Sequence, residues 1–101
     1  MELAAFQERI DRTYGDRDRA RGVASTVAWL TEEVGELAKA VRKGVRAEQV
    51  REPGDALAWL VSLANQLGIS MEEAAARYAS GCPQCGATPC ECPSTSRVLL
   101  D

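Results

Sequence analysis

The sequence predicts an all-α protein: a body of four helices, one of them calling for cover from a partner subunit, followed by a small cysteine-bearing tail. Three observations carry this expectation. Apolar residues recur at steps of three and four along most of the chain, and no sustained period-two alternation appears before the tail. One helical segment is apolar on nearly every face, more than so small a body covers by itself. All four cysteines and three of the four prolines fall after Gly81, where the helical pattern stops.

Each element follows from local signals. Leu3, Phe6, Ile10 and Tyr14 give a short first helix, which Gly15-Asp16 should end. The run DRDRARG, residues 16–22, reads as a charged turn or as the exposed opening of the next element. Val23, Val27, Leu30, Val34, Leu37 and Val41 then form an amphipathic stripe, so the second helix should bury that seam. Arg42 and Lys43 suit its C-terminal dipole, and Gly44 its end. The third helix is expected from about Ala47 to Gln66, closed by Gly68. Its second half, ALAWLVSLANQLG, is the over-apolar stretch whose outer face calls for a partner subunit. Ser70 and Glu73 form a capping box that opens a fourth helix, with Met71, Ala74, Ala75 and Tyr78 as contacts. The expected division is therefore a helical domain over 1–80 and a tail over 81–101.

Composition narrows the function. At 101 residues the chain has room for one modest core. A net charge of −3 speaks against a nucleic-acid polymer or an anionic membrane as partner. No apolar run approaches a membrane span, and the first fifteen residues lack the h-region of a signal peptide, so a cytoplasmic location is expected. Histidine is absent, so catalysis would fall to carboxylates, other side chains or a bound metal.

The carboxylates are placed for a metal. TEEVGE sets Glu32, Glu33 and Glu36 on the second helix, with Glu33 and Glu36 on the flank of the apolar seam and Glu32 almost opposite it. Helix surfaces are rich in glutamate, and alone this run is most simply a solvated face. The run EPGD adds Glu52 and Asp55 at i, i+3 on the third helix. Two such pairs on adjacent antiparallel helices can bring four carboxylates to one point beside an apolar wall, where like charges need a cation. Hard oxygen ligands suit Mg²⁺ or Mn²⁺ shared with a phosphate substrate. Pro53 inside this second pair implies either a helix start near Glu52 or a kink there.

With E-E-x-x-E followed after fifteen residues by E-x-x-D, the chain resembles the MazG-type all-α nucleoside triphosphate pyrophosphohydrolases. The similarity runs through WLTEEVGELAKAV and EPGDALAWLVSLANQLGIS, over roughly residues 3–80. It implies Mg²⁺-dependent hydrolysis between the α and β phosphates to a monophosphate and pyrophosphate, in a dimer or tetramer. It also implies Glu33, Glu36, Glu52 and Asp55 as metal ligands, with Glu32 as a further contact or a positioner of the attacking water. Lys39 and Lys43 are candidates for neutralising phosphate. Trp29, Trp59, Tyr14, Phe6 and Asn65 are candidates for the base, although aromatics at helical spacing most often serve packing. Phosphoribosyl-ATP pyrophosphohydrolase is an alternative with the same helical fold and bond cleavage.

The tail holds Cys82, Cys85, Cys90 and Cys92, with Pro83 and Gly86 in a CPxCG pattern. Two closely spaced thiol pairs can supply a tetrahedral zinc site, and four protein ligands would make it structural. A non-catalytic zinc-knuckle interaction protein on a helical oligomer is the rival reading. It expects the acids to be exposed and not to meet.

Overall fold

A computed structural model describes residues 1–93; residues 94–101, the end of the expected tail, lie outside the described residues. The chain divides into two compact units, Met1–Met71 and the segment from Glu72 onward. Three long helices make the first: α1 (Leu3–Arg21), α2 (Val23–Lys43) and α3 (Arg46–Leu67). A short α4 (Met71–Ala75) and a single 3₁₀ turn (Ala76–Tyr78) follow. Within the first unit α3 is central, packing most extensively on α2 and next on α1, while α1 and α2 touch little. Its buried apolar residues are few and small: Ile10, Ala40, Val61 and Ala64.

Gly15 does not end the first helix. The step of four from Ile10 to Tyr14 continues to Asp18, and the helix follows it. Arg19 reaches back across Gly15 to Asp11, with Nη2 to Oδ1 at 2.7 Å. A Cβ on Gly15 would lie 2.5 Å from that Asp11 oxygen and 2.7 Å from Arg19 Nη1. The glycine thus makes room for an ion pair inside a helix. DRDRARG is accordingly the last turn and a half of α1 and its cap rather than a turn. One residue, Gly22 at φ +92°, joins α1 to α2, a backbone conformation that side chains rarely adopt.

The covered face of α2 is not the expected one. Thr26 and Ala40 are the buried residues of that helix, and Val23, Val27, Val34 and Val41 are 40–64% exposed. At about 100° per residue, the line through Thr26, Glu33 and Ala40 lies roughly a quarter turn from the valine line. That first line faces α3: Gln66 Nε2 donates to Thr26 Oγ1 at 2.7 Å, and Gln49 Nε2 donates to the Ala40 carbonyl at 3.1 Å. Glu33 stands midway between two buried residues, each one heptad away, rather than on a flank.

The turn into α3 is tight. The Val45 N–H donates to Glu48 Oε1 at 3.1 Å, and Gly44 lies so near Ala40 that an added Cβ would sit 2.8 Å from its Cα. Pro53 neither starts nor breaks α3, which begins six residues before Glu52. One ladder hydrogen bond is forfeited there, a loss the long helix tolerates. At the far end Gly68 is left-handed (φ +68°), and the Ile69 N–H reaches the Ala64 carbonyl at 2.9 Å, a Schellman closure. Gln7 of α1 clasps this exit: its Nε2 donates to the Ile69 carbonyl at 2.7 Å and its Oε1 accepts from the Met71 N–H at 2.8 Å. Among the described residues no helix is long and apolar enough to cross a membrane.

Candidate functional site

The antiparallel pair α2 and α3 places a polar line on each side of their contact. On α3 the line runs Glu52, Asp55, Trp59, Ser62, Gln66 at steps of three and four, and on α2 it includes Thr26 and Glu33. Gln66 and Thr26 close one end by their hydrogen bond. Further along, one carboxylate oxygen from each of Glu33, Glu52 and Asp55 lies within 4.8 Å of the other two. Three of the four expected carboxylates therefore meet. Glu36 is exposed and stands outside that group, although its charge is felt at Glu33. Glu32 is exposed and takes no part. Exposed acids that do not meet were the expectation of the non-catalytic reading, and these three meet.

The electrostatics record the crowding. Glu33 is raised from the usual carboxylate range to about 7, first by a hydrogen bond shared with Glu52, then by burial, then by the charges of Glu52, Asp55 and Glu36. Glu52, the partner in that hydrogen bond, is lowered, with Arg51 assisting at 3.4 Å. A proton held between two carboxylates is what such a site does when nothing else neutralises it. Glu33 Oε2 is buried and has no hydrogen-bond partner. A buried carboxylate oxygen beside two further carboxylates fits a hard divalent cation, which oxygen donors bind best.

Two clefts flank the acids. One, of about 110 Å³, is lined by Glu36, Lys39, Lys43, Glu48, Arg51 and Glu52. It brings the two expected lysines together and adds Arg51, which the sequence reading passed over because it sits among ordinary surface charges. The other, of about 290 Å³, is walled by Tyr14, Arg17, Asp18, Arg21, Asp55 and Trp59. Trp59 stacks on Trp29 with centroids 5.8 Å apart and planes 8° from parallel, and the Arg21 guanidinium lies 4.8 Å from a Trp59 ring centroid. Arg21 also bonds Asp18, Nη1 to Oδ1 at 2.7 Å, and Asp18 is buried with its Oδ2 unpartnered. Arg17, Asp18 and Arg21 all come from the segment expected to be a charged turn or the exposed opening of the next element. The signal that could have found them is Asp18, four residues beyond Tyr14 on the same stripe.

Asn65 is a correction. Its Oδ1 accepts from Gln7 Nε2 at 3.0 Å and its Nδ2 donates to the Gln7 carbonyl at 3.3 Å, so the amide ties α3 to α1 and lines neither cleft. Phe6 is likewise absent from both clefts.

In the second unit the Sγ atoms of Cys82, Cys85, Cys90 and Cys92 lie within 4.8 Å of one another, and none is in a disulfide. Cys85 is lowered to about 6, chiefly because the Glu91 N–H donates to its sulfur.

The family model described as the MazG nucleotide pyrophosphohydrolase domain matches residues 21–81. A comparison with curated proteins gave no match. The matched segment contains all five acids and both flanking lysines, and stops immediately before Cys82.

Proposed function

This chain belongs to the MazG nucleotide pyrophosphohydrolase family, and from that premise we propose that it hydrolyses a nucleoside triphosphate between the α and β phosphates in the presence of Mg²⁺ or Mn²⁺. The products are the nucleoside monophosphate and pyrophosphate, a reaction suited to clearing unwanted nucleotides from the pool. The observation that supports this best is the meeting of Glu33, Glu52 and Asp55 around the unpartnered Glu33 oxygen. Those three residues would hold the cation, with Glu36, one turn along α2, adding its charge from outside the group. A cation bound there supplies charge neutralisation at the phosphoryl oxygens and lowers the pKa of a coordinated water.

The chain's own groups orient the substrate. Lys39, Lys43 and Arg51 line one cleft beside Glu52, where they would take the β and γ phosphates and then the departing pyrophosphate. Trp59 and Tyr14 line the other beside Asp55, an aromatic wall suited to a nucleobase, with Arg17 and Arg21 at its edge. The α phosphorus would then lie between the clefts, at Glu52 of one and Asp55 of the other. A panel of nucleoside triphosphates, scored for pyrophosphate against orthophosphate release, tests this. The expected result is pyrophosphate and monophosphate in equal amounts, dependent on Mg²⁺. Release of orthophosphate alone, or of nothing from any triphosphate, would sink the proposal.

The same proposal includes a homodimer or homotetramer. Val23, Val27, Val34 and Val41 on α2, and Leu57, Leu60 and Leu67 on α3, are each at least 40% exposed in the single chain. Two such stripes on a unit of this size are more apolar surface than an isolated monomer ordinarily presents. Leu60→Asp should shift the assembly to monomer in sedimentation while circular dichroism retains the helices, because this position is open in the single chain. A native chain that sediments as a monomer at micromolar concentration would refute the assembly.

A further inference from the structure

We propose that Cys82, Cys85, Cys90 and Cys92 form a closed, structural zinc site, separate in chemistry from the carboxylate site. The sulfur geometry is that of one ion. Cys82 and Cys92 Sγ are 3.7 Å apart and Cys85 and Cys90 Sγ 3.9 Å apart. With a Zn–S bond of about 2.3 Å, a regular tetrahedron sets its sulfurs about 3.8 Å apart. A disulfide brings them to about 2.05 Å, and neither pair is near that. Polynuclear iron–sulfur clusters spread their cysteines over several irons, which requires wider spacing than a single tetrahedral ion.

The backbone is shaped to the same end. The Gly86 N–H donates to the Cys82 carbonyl at 2.7 Å and the Cys82 N–H to the Ala87 carbonyl at 3.0 Å, closing the CPQCG loop. Gly86 makes this turn at φ +74°. Gly81, at φ +104°, lies against the returning limb of the loop, where an added Cβ would meet the Ala87 carbonyl oxygen at 2.8 Å. Two sulfurs also receive backbone donors: Glu91 N–H to Cys85 Sγ at 3.2 Å and Cys92 N–H to Cys90 Sγ at 3.4 Å. N–H···S contacts of this kind orient the sulfurs from outside the site.

Beyond these hydrogen bonds, no hydrophobic core holds the segment in shape. From Gly81 to Pro93 there is no helix or strand, and no residue is fully buried. A stretch this short cannot bury a core, and metal binding is the usual substitute. Soft thiolates select zinc over Mg²⁺, and four protein ligands leave no position for a substrate, so the ion has a structural task. The family match ends at residue 81, so the site is an addition to the matched domain.

The test uses the full chain, purified under reducing conditions. Metal analysis should find one zinc ion per chain, and exchange with Co²⁺ should give the visible absorption of tetrahedral cobalt thiolate. Cys85→Ser and Cys90→Ser should each lose most of the zinc and expose the segment after Gly81 to protease, while helicity and Mg²⁺-dependent pyrophosphate release persist. Zinc-free native protein, stoichiometric iron in its place, disulfides detected by mass, or cobalt without thiolate bands would each overturn the assignment. Full zinc retention in both variants would do so as well.

Discussion

Asp55→Asn should lower the rate of pyrophosphate release by about three orders of magnitude, because a bound cation contributes several kcal/mol to the transition state and each ~1.4 kcal/mol is tenfold. The amide keeps the shape of the carboxylate and removes the charge that a cation needs. Asp55 is exposed, so the fold should be unaffected. Glu33→Gln should have the same kinetic effect with a further signature. Glu33 carries the raised pKa of the group, held up first by its hydrogen bond with Glu52 and then by burial. A neutral amide donates to Glu52 without adding charge, so the metal-free variant should melt higher than the native protein. Native protein should in turn gain about 2.7 kcal/mol at a roughly hundredfold excess of free Mg²⁺ over its Kd, and the variant should gain little. Thermal melts with and without Mg²⁺, run beside the kinetic assay, measure both effects. Near-native turnover of either variant at saturating Mg²⁺ would remove these residues from the site.

The same glutamate shows what could be seen in the sequence and what could not. The helices were legible because their apolar spacing is regular, and the acids were legible because two short motifs recur at i, i+3. The rotation of α2 was not. Periodicity reports that a helix has an apolar line, not which neighbour covers it. Here four valines of the most apolar line, Val23, Val27, Val34 and Val41, are left open in the single chain, and Leu30 and Leu37 between them are only half-buried. The line through Thr26, Glu33 and Ala40 meets α3 instead, because Gln66 and Gln49 offer it hydrogen bonds. The covered line is thus the less apolar of the two, with two small residues, Thr26 and Ala40, buried on either side of the half-buried Glu33. Gly15 misled for a related reason. Its helix-breaking tendency is weak, about 1 kcal/mol, and the Asp11–Arg19 pair closes over it. Glu36 was placed correctly on its helix but one turn too far along to join the three acids that meet. Asn65 looked free for a base because its partner, Gln7, is distant in sequence.

Trp59→Ala should raise KM for the triphosphate by about 5- to 150-fold and change kcat less, since base stacking contributes about 1–3 kcal/mol per base. Trp59 is one turn beyond Asp55 on α3, so its ring borders the cleft that opens beside the acids. Trp29 holds it in a nearly parallel stack, and the Arg21 guanidinium lies near its ring. A ring fixed by two such neighbours is pre-organised, which lowers the ordering cost of binding a planar ligand. Trp59→Phe keeps a π face and should recover most of the KM, whereas Trp59→Leu keeps bulk without one and should not. This pair separates stacking from simple filling of space. Because Trp59 is half-buried, melting curves of each variant must accompany the kinetics. An unchanged KM in Trp59→Ala, or equal recovery by Phe and Leu, would mean that the tryptophan pair only packs α2 on α3, and the nucleoside would then have to enter elsewhere. Arg21→Lys offers an internal check. It retains a positive charge but not the planar group beside Trp59 and Asp18, so its effect should fall on KM in the same direction as Trp59→Ala and be smaller.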